Sequence, residues 1–66
     1  MMTEQRQREV EQLAQSMLSQ AVTISPDALA ERAGITWFLA RDILQALARK
    51  GSIEGLPSGR FRRLNL

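Results

Sequence analysis

Apolar side chains recur along the chain in three stripes of helical period. In the first, Val10, Leu13, Ala14, Met17, Leu18 and Ala21 stand at i, i+3, i+4, i+7, i+8 and i+11, on one face of a helix from Thr3 to about Gln20. Thr3 suits its N-cap, where a hydroxyl accepts from a free amide, and Glu4 favours the positive end of the dipole. Met1 and Met2 ahead of it are expected to fray. Gln, Arg and Glu fill the outer face. Such a stripe ordinarily builds core; a dimerisation helix is the sharper alternative. The second stripe is Leu29, Ala30 and Ala33, opened by Ser25 as cap, Pro26 in the first helical position and Asp27 in the first turn. Gly34 stops that helix at about Ala33, and Ile35 returns to the core. The third stripe is Ala40, Ile43, Leu44 and Leu47, in a helix over 37–50. Thr36 caps its start, Gly51 suits a left-handed residue just past its end, and Arg49 and Lys50 complement the dipole in the last turn.

Outside the stripes the period changes. Val22-Thr23-Ile24 is rich in β-branched side chains and reads as an extended piece. Ser52-Ile53-Glu54 alternates polar and apolar, Gly55 to Gly59 is a turn cluster, and Arg60 to Leu66 is a second strand candidate. Phe61 and Leu64 are three apart and cannot share a face without a bulge. The two strands form a hairpin over about 52–66, which must pack on the helices because a lone hairpin is marginal in water. Val22 to Ile24 is a candidate third strand. The prediction is one domain over 1–66, mostly α with a small β-hairpin (α+β), in the order α-β-α-α-β-β, with helices about 3–20, 26–33 and 37–50.

A surface helix ordinarily shows water a mixture of Glu, Lys and Gln. The third helix instead presents Trp37, Phe38 and Arg41 near its leading end, with Asp42, Gln45 and Arg49 beyond them. Charge sharpens the contrast. Residues 1–40 hold three arginines against five carboxylates, a balance of −2; residues 41–66 hold six cations against two carboxylates, a balance of +4. A basic C-terminal half attracts polyanions, nucleic acid foremost, although basic surfaces also serve solubility.

Composition removes whole classes of function. With 44% hydrophobic and 24% charged residues the chain is globular rather than disordered. It contains no run of about 18 apolar residues to span a membrane and no apolar leader, so a cytoplasmic location is expected. Cysteine and histidine are both absent, which excludes zinc clusters and histidine-dependent nucleophilic triads. Asp27 and Glu31, at i and i+4, read as a solvated face rather than an acid–base pair. The Gly55–Gly59 turn lacks the lysine and following helix of a phosphate loop. An enzyme is not expected, and no cofactor or metal is implied.

The order of elements, a tight turn after the second helix and a terminal basic hairpin resemble the winged helix-turn-helix family of DNA-binding domains. The local match is in residues 26–45: Leu29, Ala30 and Ala33 before Gly34 and Ile35, then Ala40 and Ile43. Small residues let two helices cross closely, and glycine turns the chain without strain. The chain also looks broadly like the C-terminal DNA-reading domain of bacterial chromosome translocases, and like a small ribosomal-subunit protein with a similar Leu-Ala-Arg helix before glycine and an apolar strand. The resemblance implies that the third helix enters the major groove and that the hairpin, as the wing, touches backbone or minor groove.

Carried over, Thr36, Trp37, Phe38, Arg41, Asp42 and Gln45 would face the groove. Thr36 and the helix start would bind phosphate, Phe38 would touch a thymine methyl, Arg41 would read guanine, Gln45 adenine and Asp42 cytosine. Arg60, Arg62 and Arg63 would sit near phosphates. Trp37 and Phe38 stand where such readers usually carry polar residues, and Trp37 has a rival place at the core edge, against the first helix or the wing. The function implied is duplex DNA binding by a small bacterial, plasmid or phage transcriptional regulator, in some cases as a homodimer. The alternatives are an adaptor that grips a protein through Trp37 and Phe38, and an RNA- or ribosome-associated domain.

Overall fold

Each helix starts at the hydroxyl its sequence offers. In the computed structural model, which describes residues 2–64, Thr3 accepts from the Arg6 amide to open α1 (Glu4–Gln20). Ser25 accepts from Ala28 to open α2 (Pro26–Ala33), and Thr36 from Leu39 to open α3 (Trp37–Arg49). Three short strands complete the order α-β-α-α-β-β: β1 (Thr23–Ile24), β2 (Ile53–Gly55) and β3 (Phe61–Arg63). The fold is α+β, as expected.

The turn between α2 and α3 sets the crossing of the two helices. Gly34 adopts φ 69°, a left-handed conformation that side chains with a Cβ disfavour, and its amide and that of Ile35 both reach the Ala30 carbonyl. Only Ile35 and Thr36 then separate Gly34 from α3. At the far end of α3 the Gly51 amide bonds to Ala48 and the Ser52 amide to Leu47, the paired bonds of a Schellman ending, with Gly51 at φ 84°. The helix stops at Arg49 with Lys50 as its cap, one residue short of the expected end.

The core is one cluster drawn from every element. Val10, Ala14 and Leu18 come from α1, Leu29 and Ala33 from α2, and Ala40, Ile43, Leu44 and Leu47 from α3; Ile24, Ile53 and Phe61 come from the strands. Leu13 and Met17 are half-buried against it. Two details of α1 differ from expectation. Ala21 lies past the helix in extended backbone and is exposed. Met2 does not fray but packs partly against the core; Met1 lies outside the described residues.

The strands form an antiparallel sheet of order β1-β3-β2. Ile24 pairs with Phe61 and Thr23 with Arg62 on one side; Gly55 pairs with Phe61 and Glu54 with Arg62 on the other. The candidate third strand is therefore real. Gly55 is small for a reason, because a Cβ there would stand 3.3 Å from the Phe61 ring. Strand β3 ends at Arg63, so Leu64 follows it and no bulge is needed to seat both apolar residues; Asn65 and Leu66 of the expected strand lie outside the described residues. Among the described residues no helix is long and apolar enough to cross a membrane.

Candidate functional site

Burial of the Ala40–Ile43–Leu44–Leu47 stripe fixes how α3 is rotated, and thereby what it shows to solvent. At 100° per residue the direction opposite the stripe belongs to Phe38, Asp42, Gln45 and Arg49. All four are exposed, Phe38 at 65%. Trp37, Arg41 and Ala48 take the flank toward the hairpin, and Leu39 the other flank. Three large apolar side chains in succession, Trp37, Phe38 and Leu39, thus stand open at the leading end of one helix. Leu39 escaped the sequence reading, although its offset from the Ala40–Leu47 stripe was a usable signal.

The aromatic pair organises the charge beside it. The Trp37 and Phe38 rings meet edge to face, with centroids 5.2 Å apart and planes at 84°. The Arg41 guanidinium carbon lies 5.1 Å from the Trp37 centroid and 5.7 Å from that of Phe38. A guanidinium in that position is attracted by the electron-rich ring faces. Arg41 Nε is covered and has no hydrogen-bond partner among the described residues, so only the terminal Nη atoms are left to donate. Nη2 sits 3.6 Å from Asp42 Oδ1. Arg41 is therefore half-buried and steered rather than free in solvent.

An open groove of about 660 Å³ runs along this flank. Trp37, Arg41, Gln45 and Arg49, each four residues after the last, form its helical wall, and Leu56, Gly59 and Phe61 form its hairpin wall. Arg49, to which sequence reasoning gave a role only at the helix dipole, belongs to this wall. Trp37 stands in the groove at 40% exposure, neither out in water nor enclosed in the core. At the head of α3 the Thr36 hydroxyl accepts from Leu39 and keeps its own proton to donate. The first amides of the helix have no helical acceptor and point the same way.

The hairpin arginines are placed differently from one another. Arg60 donates from Nε to Thr23 Oγ1 at 2.8 Å, and Arg62 from Nε to Glu54 Oε1 across the β2–β3 rung. Both are tied within the outer face of the sheet by one nitrogen each. Arg62 and Arg63 border a second hollow, with Leu18, Ala21, Val22 and Leu64, that shares no residue with the α3 groove. The structure thus gathers Trp37, Arg41 and Gln45, with Phe38 and Asp42 on the adjoining ridge, and it does not bring Arg60, Arg62 or Arg63 into their groove. Comparison with family models, curated proteins and solved structures finds no match for the chain.

Proposed function

We propose that the protein is a winged helix-turn-helix module that binds duplex DNA, with α3 in the major groove and the β2–β3 hairpin as the wing. The observation that carries this reading is the outward edge of α3, where Phe38, Gln45 and Arg49 project, with Arg41 steered on the flank beside them, from a helix capped at both ends and braced by the core. Thirteen residues at 1.5 Å each give a rod of about 20 Å, long enough to follow a groove about 12 Å wide. The β2–β3 hairpin lies beside that rod, across the groove lined by Leu56 and Gly59, which supports reading it as the wing. The element order and the Gly34 turn support the same family.

On this reading the first contact is electrostatic. Arg49, the hairpin arginines and the amides at the head of α3 displace counterions from phosphates, and Thr36 donates to one phosphate oxygen. Arg41 and Gln45 then meet base edges, for which side-chain amides and guanidinium forks are geometrically suited. A single module of this size buries little DNA surface, so a two-fold pair on a symmetric site fits a small bacterial, plasmid or phage regulator acting in the cytoplasm.

Titration of labelled duplex DNA at several salt concentrations tests the proposal. Affinity should fall steeply and log-linearly with salt; absence of binding at about 50 mM salt counts decisively against it. Structured RNA at matched salt is the control for an RNA-associated role. A second reading, a protein adaptor, is favoured by the open run Trp37-Phe38-Leu39, since aromatic side chains and arginine dominate protein hot spots. Trp37 is the sole tryptophan, and an emission shift with a protein partner but not with DNA would select that reading.

A further inference from the structure

We infer that the leading half of α3 reads one guanine·cytosine pair next to a thymine, an assignment that rests on the duplex-binding reading and narrows it to a base step. Arg41 and Asp42 present a donor and an acceptor side by side, with Nη2 and Oδ1 3.6 Å apart. In the major groove guanine offers two adjacent acceptors, O6 and N7, and the cytosine paired with it offers the N4 donor beside them. A guanidinium fork has two parallel donors, and guanine is the base with two neighbouring acceptors to receive them. Asp42 then takes the cytosine amino group rather than facing a phosphate, which would repel it.

The surroundings of Arg41 favour this use over a backbone contact. Its Nε is covered, so the end-on pair of Nη atoms is what it can offer. Trp37 and Phe38 already hold the guanidinium, so less side-chain freedom is lost when it docks. Phe38, 65% exposed, needs an apolar partner in a polar groove, and the thymine methyl supplies one. Its ring centre is 5.7 Å from the guanidinium carbon, farther than the rise of about 3.4 Å between stacked bases. Guanine and thymine belong to different base pairs, and this span is long enough to bridge one base step between them.

The test begins with selection of preferred duplexes from a randomised pool by the unaltered protein. The selected duplex is then remade with uracil for the thymine, which deletes one methyl, or with 7-deazaguanine for the guanine, which deletes N7. We expect selected sites to carry G·C beside T. Uracil should weaken binding about fourfold and 7-deazaguanine about tenfold. Phe38→Ala should lose the response to uracil alone, and Arg41→Ala the response to 7-deazaguanine alone. Salt-dependent binding with no preference at this step, or with no response to either base analogue, overturns the inference and leaves duplex binding standing. No binding to the pool at low salt overturns both. The base analogues probe the wild-type chain, so the result does not depend on how any variant folds.

Discussion

Arg41 is held from three directions, by two rings and a neighbouring carboxylate. On the duplex-binding reading, replacing it removes a contact to DNA and little from the core, because its head lies outside the buried cluster. Arg41→Ala should therefore cost about 1–3 kcal/mol in binding a preferred duplex and flatten the sequence preference at one position, as competition between matched and mismatched duplexes would report. Arg6 is the opposite case. It lies on the polar face of α1, where the sequence pattern suggested nothing, yet its Nη2 donates to the Ala33 carbonyl at the end of α2. That bond satisfies a helix-end acceptor with a cation where the dipole wants one. Arg6→Ala should lower stability by about 1 kcal/mol in chemical denaturation and leave DNA affinity unchanged. The difference in legibility is physical. The caps Thr3, Ser25 and Thr36 bond three residues along the chain, so the sequence displays both partners. Arg6 and Ala33 are 27 residues apart and meet only once α1 crosses α2.

At the scale of elements, the helices were legible because each carries its period, its start and its stop within its own residues. Gly34 is the junction on which the α2–α3 angle depends. A Cβ there would meet no atom within 4 Å, so the cost of Gly34→Ala is conformational rather than steric. It should destabilise the domain by about 1–2 kcal/mol, with Gly34→Asn milder, in thermal or denaturant melts. The strands were legible as segments and β2–β3 as a hairpin, but their register and the place of β1 beside β3 were not. Alternation along Arg60-Phe61-Arg62 puts both arginines opposite the buried ring, and that much follows from period two. That Arg62 faces Glu54 and Arg60 reaches Thr23 follows from register and from insertion of β3 between β1 and β2, which local pattern does not encode. Arg60 and Arg62 of the hairpin accordingly carry no visible partner in the sequence and emerge tethered.

At the scale of the whole molecule, a small core and an uneven charge set two further expectations. A 66-residue domain at roughly 0.05–0.15 kcal/mol per residue has only about 3–10 kcal/mol of stability. Leu44 is fully buried, and Leu44→Ala should remove about 2–5 kcal/mol of it, whereas Phe38→Ala on the exposed ridge should leave the melting transition nearly in place. Glu54 is the remaining expectation. It is the one carboxylate in residues 43–66, and it occupies Arg62 Nε from the next strand. Glu54→Gln raises the formal net charge from +2 to +3 and weakens the hold on that guanidinium by removing the carboxylate charge, while keeping the side chain's size. If the hairpin lies along a DNA strand, Arg62 gains a phosphate. The slope of log affinity against log salt should then steepen by about 0.9, with tighter binding at low salt for every sequence alike. Arg62→Ala in the same background should abolish that gain. An unchanged slope in Glu54→Gln would place Arg62, and the second hollow it borders with α1, away from the nucleic acid. The contact surface would then contract to α3 and the groove between it and Leu56 and Gly59.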